Sequence, residues 1–343
     1  MPWVVRGLRR GVVTTAYPRK RDDYGPDFHA TVSLRPPSEP GATRDPAGTD
    51  APGGSGPSRR SDPSGDVRLA EVCPTGALQQ AGDGSELRLD RGRCIVCGRC
   101  VDAHPERVAF DPTLELASVG RAGLVVPATP ETEESLAALR RDLGARSRAF
   151  GRSLHIRHVD AGSDGSEEWE VAALTNPVYD IHRLGLFFTA SPRHADLLLV
   201  TGVGTAGMAE PLRRTYEAMP APRIVLAAGS DAVIGGLHTG AGDGEPQCGA
   251  GDGGLHCGAG DGGPQCGAGD EQAGHERAGG LPAGNRRVGD ERVGDERARH
   301  ERVGIAAILP VDVFVPGSPP SPFSLLHGIL LALGRMGPRG STA

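Results

Sequence analysis

Short runs of consecutive apolar residues recur through the second half of the chain. They predict five strands, over 154–160 (LHIRHVD), 184–190 (LGLFFTA), 196–202 (DLLLVTG), 223–229 (RIVLAAG) and 311–317 (VDVFVPG). Between and after them, Met208–Met219 and a segment that starts at Pro322 show helical spacing of apolar positions. Uninterrupted apolar strands that alternate with helices indicate a parallel sheet covered on both faces, so an α/β domain is predicted over 150–237 and 303–338.

The apolar pattern stops between residues 238 and 302, where the chain becomes repetitive. PQCGAGDGG, LHCGAGDGG and PQCGAGDEQ follow one another at nine-residue intervals, and RVGDE then occurs twice. A Gly- and Asp-rich nonapeptide is similar to the repeat of calcium-binding β-rolls, but no regular apolar position is present here to build a strand. We therefore predict a disordered low-complexity insertion, in which Cys248, Cys257 and Cys266 have no chemical role.

Composition divides the first 120 residues. Residues 1–35 are mixed in character and are assigned to the module that follows; residues 36–65 are rich in Pro, Gly, Ser and Asp and predict a disordered linker. Residues 66–120 hold four of the seven cysteines. Because the 52 Gly and 29 Pro residues are clustered, the folded part is smaller than the 343 residues suggest.

Net charge and the lengths of the apolar runs indicate which partners and which cellular compartment to expect. The net charge of −6 gives no reason to expect a nucleic-acid partner. The N-terminus lacks an apolar stretch of export-signal length, and the longest apolar run, within Phe323–Met336, is too short to span a bilayer and predicts an amphipathic helix. We expect a cytoplasmic chain without direct membrane insertion, in which cysteines bind metal rather than form disulfides.

The strongest chemical signal is the cysteine pattern in residues 66–120. Cys94-Ile-Val-Cys97-Gly-Arg-Cys100 follows Cys73-Pro-Thr-Gly-Ala. Two-residue gaps let three thiolates converge in one tight loop, and a remote Cys-Pro supplies a fourth, which is the ligand pattern of [4Fe–4S] ferredoxins. We predict that Cys73, Cys94, Cys97 and Cys100 hold one [4Fe–4S] cluster, which carries single electrons.

Two other ligand arrangements fit this motif less well. Two-cluster ferredoxins have a further cysteine at the position of His104, which precedes Pro105. The first CxxCxxC run of such ferredoxins is absent here, so His104 has no second cluster to bind. His104 in place of Cys73 is the weaker ligand set. CxxC is also a zinc spacing, but the third cysteine and the CPTGA segment favour iron–sulfur over zinc.

The cysteine-rich segment and the α/β segment each resemble a part of known redox complexes. Residues 66–120, with the opening RRGVVTTAYP, resemble the ferredoxin modules of complex-I-like hydrogenases. The α/β segment resembles the small-subunit family shared by complex I (its 20-kDa, B-type subunit) and membrane-associated [NiFe] hydrogenases, including formate hydrogenlyase. This second resemblance rests on VDAGSDGSEEWEVAALTNPVYDIHRLG (159–185), ASPRHADLLLVTG (190–202), MAEPLRRTYEAMPAPRIVLAAGS (208–230) and LPVDVFVPGSPPSP (309–322).

The resemblance implies a second cluster site whose ligands are lost. Where the family has cysteines, this chain has Asp164, Glu167, Asp231 and Ser318. Hard oxygen ligands do not suit an iron–sulfur cluster, so no second cluster is expected. Three carboxylates could bind Mg²⁺ or Ca²⁺, or the pocket is a solvated vestige. If the acids are buried together without a cation, repulsion should raise the pKa of at least one of them.

A rival motif lies in the same domain. Gly202-Val-Gly204-Thr-Ala-Gly207 is a GxGxxG between a strand and a helix, and Asp231 follows the next strand, as a dinucleotide site requires. Asp231 lies too far along the chain for the usual arrangement, so nucleotide binding through Gly202–Gly207 is the least favoured function.

The sequence thus predicts a flavodoxin-like parallel α/β domain, a small α+β ferredoxin-like module and a disordered insertion. The resemblance implies an iron–sulfur electron-transfer subunit without its own active site, whose partners are a hydrogenase- or complex-I-like large subunit and membrane-arm subunits. These partners would place the chain peripherally on the inner face of the cell membrane. The alternative is a structural subunit that docks the large subunit and relays no electrons.

Overall fold

The computed structural model describes residues 5, 7, 9, 11–20, 29–35, 65–80, 87–150, 153–236 and 304–336. The chain divides into two units, residues 1–245 with 302–343 and residues 246–301, and the second unit lies outside the described residues. The predicted insertion, most of the predicted linker, and Cys248, Cys257 and Cys266 also lie outside them. Their assignments therefore stay predictions.

Strands and helices of the described residues are numbered here in chain order. The strands are β1 (Thr31–Leu34), β2 (Leu78–Gln80), β3 (Leu87–Asp90), β4 (Val108–Asp111), β5 (Val125–Val126), β6 (Leu154–Asp160), β7 (Leu186–Phe188), β8 (Leu197–Thr201), β9 (Ile224–Ala228) and β10 (Val313–Val315). The helices are α1 (Gly65–Val72), α2 (Arg99–Ala103), α3 (Pro130–Ser147), α4 (Ser166–Ala173), α5 (Ala206–Ala218), α6 (Ser230–Ile234) and α7 (Pro322–Ala332).

The largest sheet in the described part of the chain has five parallel strands in the order β10-β9-β8-β6-β7. Successive residues of β8 and β9 alternate between two apolar clusters, so Leu197 and Leu199 face one side of the sheet while Leu198 and Val200 face the other. Both faces are therefore buried. This arrangement confirms the predicted flavodoxin-like α/β fold, and all five predicted strands are present.

The strand predicted over 184–190 is shorter than expected. Only Leu186–Phe188 pair with β6, because Ile181–Leu184 form a 3₁₀ turn that ends at Gly185 in the left-handed conformation. A second 3₁₀ turn begins at Pro192. The apolar run over 184–190 is thus longer than the strand, since only three of its residues pair with β6.

Helix α7 is more completely buried than the sequence predicts. Ser321 caps its N-terminus by accepting a hydrogen bond from the Ser324 N–H, with Pro322 in the first turn. Every residue of the helix is buried, so it is not the amphipathic helix that the sequence predicts. One side packs on β9 and β10, and residues 114–117 cover another: the Ser324 hydroxyl donates to the Leu114 carbonyl, and the Ala117 N–H to His327 Nδ1.

The small module contains two antiparallel sheets, β1-β4 and β2-β3-β5. Its core consists mainly of Val32, Leu69, Leu78, Leu89 and Val108, with Cys100 at one side. Two backbone hydrogen bonds connect the segment that follows this module to the main sheet. Ser118 N–H donates to the Phe314 carbonyl (2.9 Å), and Phe314 N–H to the Ser118 carbonyl (2.8 Å).

Residues 14–17 pack on the α/β domain before β1 joins the small module. Thr15 N–H donates to the Val178 carbonyl (2.8 Å), and the buried ring of Tyr17 meets Phe323 edge to face. Within the described residues, no helix combines the length and the apolarity needed to cross a bilayer.

Candidate functional site

The four cysteines predicted as cluster ligands line one pocket. Cys73 follows α1, Cys94 and Cys97 lie in the loop after β3, and Cys100 lies in α2. The rest of the wall is mainly apolar and is formed by Val32, Pro74, Thr75, Ala77, Leu78, Leu89, Ile95, Val96 and Gly98. The structure therefore brings together residues that are up to 27 positions apart in the sequence.

Two backbone conformations shape the cysteine loop. Val96 has a φ of +55° and Gly98 a φ of +78°, both in the left-handed region. This conformation is uncommon for a β-branched residue such as valine and costs of order 1–3 kcal/mol, so the surrounding contacts must hold the loop in place. Gly98 is needed for a second reason: a Cβ there would lie 3.0 Å from the ring of Phe110.

Burial and mutual repulsion keep two of the thiols protonated when no metal is bound. Burial, with contributions from Cys100, Cys73 and Cys97, raises the pKa of Cys94 to about 11. Burial and the neighbouring Cys73 also raise the pKa of Cys100. Binding of a metal that takes thiolates would release these protons.

Cys73 behaves differently because it accepts hydrogen bonds. Burial opposes its ionisation, but hydrogen bonds from the Thr75 side chain and from nearby backbone N–H groups outweigh burial and lower its pKa. The Ala77 N–H lies 3.2 Å from Cys73 Sγ, and the Thr75 hydroxyl lies 3.5 Å from it. Such bonds stabilise a thiolate at this position.

The pocket offers four thiols and neither a carboxylate nor an imidazole. Four cysteines are the usual ligands of a [4Fe–4S] cluster, and zinc also accepts four thiolates. Among the described residues, no three His, Cys, Asp or Glu side chains converge as they would on a single metal ion. His104 does not line the pocket; its Nδ1 lies 3.2 Å from Glu106 Oε1.

The four residues for which the resemblance implies lost cysteines all follow the carboxyl ends of parallel strands. Asp164 and Glu167 come after β6, Asp231 after β9 and Ser318 after β10. Glu167 is buried, whereas Asp164 and Ser318 are exposed. The Ser230 N–H donates to the Gly317 carbonyl (2.7 Å), which connects the last two loops.

The carboxylates at this edge differ in burial and in the direction of their pKa shifts. Burial raises the pKa of Glu167, and the charges of Asp231 and Asp164 raise it further. Asp164 instead has a lowered pKa, because it accepts hydrogen bonds from the Ser166 hydroxyl (2.6 Å) and N–H (2.9 Å). None of these four residues carries sulfur, so this edge lacks the thiolates that an iron–sulfur cluster prefers.

Sequence reasoning missed a polar network at the same edge. The Ser163 and Thr201 hydroxyls both donate to the Glu168 carboxylate, and His158 Nε2 lies 3.0 Å from Thr201 Oγ1. Burial lowers the pKa of His158, although Glu168 and Asp160 oppose this effect. The network ties the 161–165 loop to β6 and β8, and no local pattern in the sequence indicates it.

The glycine motif does not present a phosphate site. The N–H groups of Val203, Gly204 and Thr205 already donate to the carbonyls of Gly162 and Ala161. A Cβ at Gly204 would lie 3.0 Å from Ile308 and 3.2 Å from Ile305, so apolar side chains cover the place where a pyrophosphate would approach. These contacts argue against dinucleotide binding.

Residues 165–332 match the family model described as the 20 kDa subunit of NADH ubiquinone oxidoreductase. The probable membrane-bound hydrogenase subunit mbhJ of Pyrococcus furiosus is 29% identical over 187 residues, which cover 54% of this chain and 78% of that protein. Formate hydrogenlyase subunit 7 of Escherichia coli is 28% identical over 212 residues, 62% of this chain and 59% of that protein. An uncharacterized protein of Methanocaldococcus jannaschii is 42% identical over 86 residues, 25% of this chain and 58% of that protein. The chain thus spans less than two thirds of the second and third of these relatives.

Proposed function

We propose that this chain, which belongs through residues 165–332 to the NADH ubiquinone oxidoreductase 20 kDa subunit family, is an iron–sulfur electron-transfer subunit of a complex-I-like or [NiFe]-hydrogenase-like assembly. Cys73, Cys94, Cys97 and Cys100 hold its one [4Fe–4S] cluster. The observation that supports this proposal is the convergence of four thiols on one mainly apolar pocket.

The residues of the pocket would determine the properties of the bound group. A [4Fe–4S] cluster, when bound, supplies reversible one-electron chemistry. The Ala77 N–H and the Thr75 hydroxyl lie beside the sulfur of Cys73, and hydrogen bonds to sulfur are one of the means by which a protein sets the reduction potential. Apolar side chains around the cysteines limit access of water. Cys97 is exposed, so its side of the pocket is the one open to a redox partner.

The partners follow from the relatives. One relative is a probable subunit of a membrane-bound hydrogenase, and another is a subunit of formate hydrogenlyase. By analogy, this chain binds a large subunit and membrane-arm subunits and associates with the inner face of the membrane through them. Since Asp164, Glu167, Asp231 and Ser318 provide no thiolate, it carries no second cluster to extend a relay.

An anaerobic iron and sulfide count, with EPR of the dithionite-reduced chain, tests this proposal. We expect about four irons and four sulfides per chain with one [4Fe–4S]⁺ signal. Cys97→Ser should lose or alter that signal, whereas Cys257→Ser, outside the cysteine motif, should not. About eight irons with two interacting signals, or bound zinc in place of iron, would contradict the single-cluster assignment.

A structural docking subunit is the second candidate. It is favoured by one observation: the parallel α/β sheet is complete although Asp164, Glu167, Asp231 and Ser318 at its edge offer no thiolate. Co-purification with a large subunit, together with a cluster that the complex's own electron donor fails to reduce, would favour docking over electron transfer. Reduction of the cluster by that donor would favour the electron-transfer function.

A further inference from the structure

A cavity of about 360 Å³ lies between the cysteine loop and the loop that follows β10. Ile95 and Val96 form one wall and residues 316–324 form another. The rest of the lining consists of His29, Ala30, Leu116, Glu170 and Tyr179. Its volume falls within the range of ligand pockets, about 300–1,000 Å³. Ile95 and Val96 also line the cysteine pocket, so two residues separate the two spaces.

Glu170 is the carboxylate of this cavity. Its side chain is partly buried, and it makes no hydrogen bond or ion pair with any other described residue. The described lining contains neither lysine nor arginine, and its histidine, His29, stacks on the ring of Phe110. A carboxylate that is partly removed from water without a counter-charge is unfavourable, and burial accordingly raises the pKa of Glu170. A cation in the cavity would offset this cost.

The rest of the lining favours a cation whose charged group is attached to an apolar or aromatic group. Phe323 and Leu116 contribute apolar surface, and Pro316, Pro319, Pro320 and Pro322 contribute ring faces. Tyr179 packs edge to face on Phe323 with ring centroids 4.9 Å apart, which fixes both rings against the cavity. Inorganic cations would gain little from these surfaces.

We propose that this cavity binds a small organic cation, an ammonium, amidinium or guanidinium group on an apolar or aromatic body, with Glu170 as its counter-charge. Binding here requires no electron transfer and so does not depend on the proposed redox function. An occupant would contact the loop that carries Cys94 and Cys97, because Ile95 and Val96 form the shared wall.

Isothermal titration of the full chain with benzamidine, and with benzyl alcohol as its uncharged counterpart, tests the proposal. We expect saturable binding of benzamidine, at least tenfold tighter than benzyl alcohol. Glu170→Gln should weaken benzamidine at least tenfold, because it removes the charge with little change of shape. Glu210→Gln removes an exposed carboxylate on α5 and should leave the affinity unchanged.

A second variant tests the location without altering Glu170. Ser318 lines the cavity from an exposed loop position, so Ser318→Trp should fill the space and abolish benzamidine binding. Circular dichroism checks that each variant is folded. Equal benzamidine affinity of the wild-type chain and Glu170→Gln, unchanged affinity of a folded Ser318→Trp, or no saturable binding by the wild-type chain would overturn the proposal.

Discussion

At the scale of single residues, Glu167 shows how the edge of the sheet accommodates a buried carboxylate. Gly229, with a φ of +95°, faces it: a Cβ at Gly229 would lie 2.5 Å from Glu167 Oε1. The absence of a side chain at Gly229 thus leaves room for the carboxylate of Glu167. The result is a buried carboxyl close to Asp231, at a position where its charge is not neutralised by a described basic group.

Replacement of Glu167 should change how stability depends on pH. Its folded-state pKa is raised, so its contribution to stability is fully present below the unfolded pKa and is lost as pH rises through the folded pKa. Glu167→Gln lacks this loss. We therefore expect the melting temperature of Glu167→Gln, relative to wild type, to increase between about pH 4 and pH 8.

Thermal melts at several pH values measure this difference, and Glu210→Gln controls for the removal of one negative charge. A Glu167→Gln difference that stays constant or decreases with rising pH would show that Glu167 is not destabilised in its ionised form.

At the scale of elements, Asp312 joins the helix before β6 to the edge of the main sheet. Its carboxylate accepts a hydrogen bond from the guanidinium of Arg146 in α3 and another from the Val225 N–H in β9 (2.9 Å). Desolvation works against the charge on Arg146, but the contacts with Asp312 outweigh it and raise its pKa. This ion pair is partly buried, unlike the exposed pair of Glu210 with Arg214 within α5.

Asp312→Ala should therefore destabilise the chain by about 1.5–3 kcal/mol, since it leaves the Val225 N–H and one guanidinium nitrogen of Arg146 without their acceptor, although Arg146 keeps Asp142 and the Arg223 carbonyl. Glu210→Ala removes an acid–arginine contact of the exposed kind and should cost only about 0.5 kcal/mol. Urea unfolding of both variants gives the comparison. Equal losses would mean that the Asp312 contacts add nothing beyond an ordinary surface pair.

An element can be predicted from the sequence when neighbouring residues determine it, and cannot when residues distant in the sequence determine it. The strands from Leu154 onward follow from apolar runs because both faces of a parallel sheet are buried, and the cysteine loop follows from a spacing within seven residues. The Glu168–Thr201–His158 network joins residues up to 43 positions apart, so no local pattern reveals it. Likewise, α7 is buried on every side because residues 114–117, far away in the sequence, cover it.

At the scale of the whole molecule, the described chain leaves the α/β domain at Gly236 and returns at Gly304, and these two points are close in space. A Cβ on Gly235 would lie 3.1 Å from the Gly304 nitrogen, and one on Gly304 would lie 2.4 Å from the Ala232 carbonyl oxygen. A short connection can therefore close the same gap.

Replacing residues 238–302 by a short Gly-Ser linker should leave the domain folded. Shortening a loop makes closure easier by only about 0.6 kcal/mol per halving, so we expect a melting temperature within a few degrees of wild type. Iron content should stay the same if the cluster uses only Cys73, Cys94, Cys97 and Cys100. A chain that no longer folds, or that loses its iron, would show that the segment has a structural or ligand role.

The Ser118–Phe314 bridge affects whether the edge of the main sheet can pair with a strand of another molecule. β10 lies at one end of the main sheet, and an uncovered strand there would offer its backbone to a strand of another molecule. Ser118 occupies the backbone groups of Phe314 on that side. At the opposite end, β7 is only three residues long. The sheet is thus protected at both ends against edge-to-edge polymerisation, so self-association into fibrils should require loss of the 114–118 cover first.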